Sequence, residues 1–112
     1  MRTLTALALG AALATPALAT IVPANAFNDR LMKLSPAERN AVLRQAVTKD
    51  SQRCGRLSNG TYHGTYKNLA FWTAKCTPGG TYEIFIGGNG QAQVRSCADA
   101  KALGLPACGK VD

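Results

Sequence analysis

The chain is short of the groups that most enzymatic reactions use. It has one histidine, His63, and 6 acidic residues against 13 basic ones. A lone imidazole, no Gly-x-Ser-x-Gly elbow and no evident close pair of carboxylates leave no acid–base couple to be read from the pattern. No two cysteines have the two-residue spacing of a zinc knuckle, which with a single histidine argues against a metal site. Internal repeats and low-complexity tracts are absent as well. Beyond the N-terminal segment, no apolar run approaches the roughly 20 residues that a bilayer requires. The sequence therefore leads us to expect no cofactor, no metal and no membrane span in the mature chain.

What is present begins with a leader. Arg2 supplies a positive start, Leu4 to Ala14 is apolar, Pro16 breaks the run, and Ala17-Leu18-Ala19 fits the small-residue cleavage rule. Residues 1–19 are thus predicted to be a signal peptide, followed by a linker at 20–26 and one domain at 27–112. Ala24-Asn25-Ala26 offers an alternative cut. Export places the protein in the periplasm or outside the cell, where thiols oxidise. Cys54, Cys76, Cys97 and Cys108 then read as two disulfides in a domain too small to rely on its core alone.

The segment "LSPAERNAVLRQAVTKD" has the marks of a helix. Ser35 is the N-cap, Pro36 suits the first helical position, Glu38 completes a capping box, and Val42, Leu43, Ala46 and Val47 recur at helical spacing. A shorter helical turn is expected at Phe27 to Leu34, with Phe27, Leu31 and Leu34 as its apolar contacts.

From Cys54 the period changes to two. Ala70, Trp72, Ala74 and Cys76 share one face of a strand, and Tyr82, Ile84 and Ile86 share one face of the next. A three-residue loop, Thr77-Pro78-Gly79, read as a type I turn closed by glycine, sets Trp72 opposite Ile84 and Ala70 opposite Ile86.

The glycines of "IFIGGNGQAQV" raise the question of a phosphate loop. A two-residue Asn89-Gly90 turn would put Ile86 against Gln93 on the wrong face. The three-residue loop Gly88-Asn89-Gly90 instead pairs Ile86 with Ala92 and Ile84 with Val94. A strand follows where a phosphate site needs a helix, so we expect a turn and no nucleotide.

In "CADAKALGLPAC", Ala98 to Leu103 is helix-forming and Gly104 stops it, so Cys97 and Cys108 can close a clasp. Cys54 would then pair with Cys76, although four cysteines allow three connectivities. The predicted class is α+β: an N-terminal helix packed on a small antiparallel β-meander of three to four strands, two disulfides and a short C-terminal helical clasp.

The net charge of +7 favours anionic partners, with Arg39, Arg44 and Lys49 as candidate anion-binding residues in the densest basic run. The derived register sets Phe71 opposite Phe85 on the face away from Trp72. If exposed beside Lys75, these two aromatics would form a partner-binding patch; cover by the segment Phe27 to Leu34 is the alternative. Glu83, on that same face opposite Thr73, is expected to be a surface ion-pair partner near Lys75. Asp29, Asp50 and Asp99 are assigned to helix ends or loops. Asn59-Gly60-Thr61 is a formal glycosylation acceptor that we read as a turn.

The run "FWTAKCTPGGTYEIFIGGNGQAQVRSC", preceded by "ERNAVLRQAVTKDSQRC" and followed by "LGLPAC", resembles small secreted or periplasmic proteins of alphaproteobacteria. The resemblance implies a helix followed by a cysteine-bearing β-meander and carries no catalytic residue with it. The expected function is a non-enzymatic secreted or periplasmic binding module whose partner the sequence does not name, an envelope protein being one candidate. The alternative is electrostatic attachment to an anionic envelope polymer or lipid surface, and a small enzyme comes third.

Overall fold

The computed structural model describes residues 25–109. The expected leader with its cut after Ala19, and residues 20–24 of the linker, lie outside the described residues. Two helices, α1 (Ala26–Met32) and α2 (Pro36–Lys49), precede four strands, β1 (Leu57–Tyr66), β2 (Leu69–Cys76), β3 (Thr81–Ile86) and β4 (Ala92–Ser96). The strands form one antiparallel sheet in the order β1-β2-β3-β4. Among the described residues no helix is long and apolar enough to cross a membrane.

The entry to each helix follows from local chemistry. Ser35 accepts from the Glu38 N–H at 3.2 Å while Glu38 bonds back to the Ser35 N–H, so the capping box is formed with Pro36 in the first turn. Asn25 caps α1 by accepting from the Asn28 N–H at 2.9 Å, and its amide donates to the Ile86 carbonyl at 2.9 Å. Two residues assigned to the linker, Asn25 and Ala26, therefore belong to the folded domain.

On the inner face of the sheet, Trp72, Ile84 and Val94 make one row across β2, β3 and β4, covered by Leu43 and Val47 of α2 and Leu31 of α1. The Trp72 indole donates to Asn28 Oδ1 at 2.7 Å, so its polar atom is satisfied within the core. Cys54–Cys76 ties the chain entering β1 to the end of β2, and Cys97–Cys108 closes the clasp. Two disulfides fit an extracytoplasmic setting.

Both expected registers are present. Trp72 lies opposite Ile84, Ala70 opposite Ile86, Ile86 opposite Ala92 and Tyr82 opposite Ser96. The first loop reaches its register with a cis Thr77–Pro78 bond in place of the expected type I turn, and Gly79 has φ 146°. A Cβ there would sit 2.3 Å from the Arg53 carbonyl oxygen. Gly90 has φ 89°, and a Cβ on it would meet the Phe27 ring at 2.8 Å. The glycine loop leads from one antiparallel strand directly into the next.

Three local expectations are corrected. Asn59-Gly60-Thr61 lies inside β1, where Asn59 at φ 56° marks a register shift between Ser58 and Thr61, so it is a strand irregularity and no turn. The clasp is less helical than expected: a 3-10 turn at Cys97–Asp99 gives way to turns ended by Gly104 at φ 71°. The outer face of β2 and β3 is also largely buried, down to Phe71, Thr73, Glu83 and Phe85, where an exposed aromatic patch was one of the two expectations.

Candidate functional site

The outer face of the sheet carries the residues singled out for partner binding. Phe71 and Phe85 oppose each other as expected and stack with ring centroids 5.1 Å apart. They are not exposed: Phe71 is 7% and Phe85 4% accessible. The cover comes from β1, whose His63 ring lies 5.0 Å from Phe71 and whose Tyr66 ring lies 5.6 Å from Phe85. The clasp adds to it, with Leu103, Gly104 and Leu105 facing Phe85 across a cavity. The segment Phe27 to Leu34 packs on the inner core instead. Lys75 is exposed on the outer face, as expected.

Glu83 is the second correction on this face. It stands opposite Thr73 as derived, but its side chain is 0% exposed and forms no ion pair with Lys75 among the described residues. Neither carboxylate oxygen has a hydrogen-bond partner among the described residues. Burial without compensation disfavours the charged form and raises its pKa above the ordinary carboxylate value. Beside it, Thr73 is buried and its hydroxyl lies 2.7 Å from His63 Nε2.

The three candidate anion-binding cations do not converge. Their five-residue spacing places successive members about 140° apart around α2. Arg39 donates to the Leu34 carbonyl at 3.2 Å at the end of the first helical segment, with its guanidinium 5.7 Å from the Trp72 ring. Arg44 Nε donates to the carbonyls of Cys54 and Gly55 at 3.1 and 3.0 Å. Lys49 is exposed beside a groove also lined by Phe27, Gln45 and Asp50. Two of the three are thus committed to carbonyl groups that helix ends and loops leave open.

The sheet edges are occupied as well. On β4, the outward Val94 N–H donates to Asp50 Oδ2 at 2.8 Å, and Arg95 Nη1 donates to the Val94 carbonyl at 2.8 Å. On β1, two register irregularities interrupt the ladder that an added strand would extend. Asp50 therefore does more than end α2, which sequence position alone did not reveal.

A cavity of about 390 Å³ remains between the outer face and the clasp. Tyr66, Leu69, Phe85, Leu103 and Leu105 give it apolar walls, and Lys67, Gln93 and Arg95 supply polar groups. The glycine loop and the cysteine spacing gave no hint of this space, because it is made by residues from all four strands and the clasp together. Among the described residues no group of three or more His, Cys, Asp or Glu side chains could hold a metal ion. Comparison with known proteins finds no matching family model, no similar curated protein and no similar solved structure.

Proposed function

We propose that this protein is a non-enzymatic exported module, periplasmic or secreted, that binds a partner on the outer face of its sheet beside the clasp. The observation that carries this reading is the cavity of about 390 Å³ that the clasp leaves over that face, a volume within the usual range for ligand sites. The central edge groups of β4 are bonded, and the groove of about 450 Å³ beside α2 is lined by both Lys49 and Asp50, so the space beside the clasp is where we place the partner. Phe85, one of the aromatics expected to bind a partner, serves here as a wall. Electrostatic attachment through Arg39, Arg44 and Lys49 fits less well, since two of those side chains hold backbone carbonyls.

A mixture of small aliphatic and aromatic acids, amines and alcohols, titrated into the isotope-labelled protein with its disulfides intact, tests the reading. Amide shifts clustered at Tyr66, Leu69, Phe85, Gln93 and Leu103 to Leu105 are the expected result. Shifts confined to the groove beside Lys49, or none, would sink it.

A further inference from the structure

We infer that the outer cavity binds a free medium-chain carboxylate, an amphiphilic anion with a single apolar tail. This rests on the binding reading above and names its ligand class. The walls contributed by Tyr66, Leu69, Phe85, Leu103 and Leu105 suit a hydrocarbon body. Leu103 is 53% exposed at one side, so apolar surface continues from the cavity toward solvent where a tail would lie.

Charge selects the head group. Among the described residues, the cations lining the cavity are Lys67 and Arg95, and no Asp or Glu lines it. Lys67 holds its ammonium 5.4 Å from the Tyr66 ring centroid, at the aromatic wall. Arg95 uses Nη1 for the Val94 carbonyl and for a long contact to Asp50 at 3.7 Å, while Nε and Nη2 have no partner among the described residues. A guanidinium presented this way can take a carboxylate through charge-assisted bonds. The larger groove of about 450 Å³ beside α2 lacks this selectivity, because Lys49 and Asp50 both line it and Asn25, the first described residue, is bonded to Ile86 at its wall.

The experiment uses octanoate, octanol and octylamine as probes of one tail length with three heads, read by amide shifts and calorimetry on the disulfide-intact protein. Octanoate is expected to shift Leu69, Phe85, Gln93 and Leu105 and to bind about tenfold more tightly than octanol, as one charge-assisted interaction implies. Lys67→Gln and Arg95→Gln should each weaken octanoate about three- to tenfold and leave octanol unchanged. Leu103→Ser should weaken both probes, and its exposed position keeps the fold out of question. Octanol or octylamine binding in the cavity as well as octanoate would overturn the anion assignment and leave the binding face standing. No shift at the cavity with any probe would overturn both. Binding to anionic phospholipid vesicles with no response to octanoate would replace the free carboxylate by a lipid surface and overturn the inference.

Discussion

The two faces of the same sheet are built to different standards. On the inner face, Trp72, Ile84 and Val94 are fully buried under two helices, the Trp72 indole is bonded to Asn28 and the Tyr82 hydroxyl to the Arg53 carbonyl at 3.0 Å, and among the described residues only Arg39 Nε, over the Trp72 ring, is buried there without a partner. On the outer face, Phe71 and Phe85 are buried beneath rings of β1 and a clasp of turns, a cavity remains, and Glu83 has no partner among the described residues. Open space borders both faces, but only the outer one buries a whole carboxylate that has no partner among the described residues.

The comparison breaks most readily in the cores. Trp72→Ala should cost about 3 to 5 kcal/mol in denaturant unfolding, with Phe71→Ala at or below the lower end because its thin cover can collapse onto the gap. Equal losses would mean that the two faces are packed alike. Next come the disulfides. Replacing Cys54 and Cys76 by Ala should cost about 3 kcal/mol globally. Replacing Cys97 and Cys108, which close the shorter loop, should mainly speed proteolysis within 98–107 while Trp72 fluorescence stays native. Loss of the tryptophan signal in that second variant would show that the clasp supports the inner core.

A smaller effect concerns Glu83. Its carboxyl is raised in the folded state, so the unfolded chain ionises first, near pH 4.3. The contribution of Glu83 to stability is therefore fully present below that value, declines as pH rises toward the higher folded pKa, and is lost above it. Glu83→Met should gain about 1 to 3 kcal/mol at neutral pH and remove that decline, measured as thermal midpoints across pH 4 to 8. A destabilised variant would reveal a partner for the carboxylate. Smallest of all, Asp50→Asn should cost less than about 1 kcal/mol by weakening an exposed ion pair, since the side-chain oxygen can still accept from Val94.

Much of the fold was legible because it rests on period and turn length. The alternation in β2 and β3 and the glycine at each loop determine which residues face each other, and every expected pair between β2, β3 and β4 is present. Alternation states which side chains share a face, however, and not whether that face is covered. Phe71, Phe85 and Glu83 were expected at the surface because their cover comes from "LSNGTYHGTY", a weakly patterned strand, and from a clasp distant in sequence. The cations misled for a related reason. A basic run signals charge, but open carbonyls at the end of α1 and at Cys54 and Gly55 claimed Arg39 and Arg44. Asn28 carried a sequence signal only in its neighbour: Asn25 three residues earlier is a favoured N-cap.

That cap also bears on where the expected leader could be removed. A peptidase cutting after Ala26 would leave a new amino terminus at Phe27 and discard Asn25, which holds the Asn28 N–H on one side and the Ile86 carbonyl on the other. The first turn of α1 would open, and Asn28 would lose the anchor that aims it at the Trp72 indole. A cut after Ala19 removes none of these groups, so of the two cleavage points the upstream one is compatible with a mature protein that keeps its tryptophan satisfied.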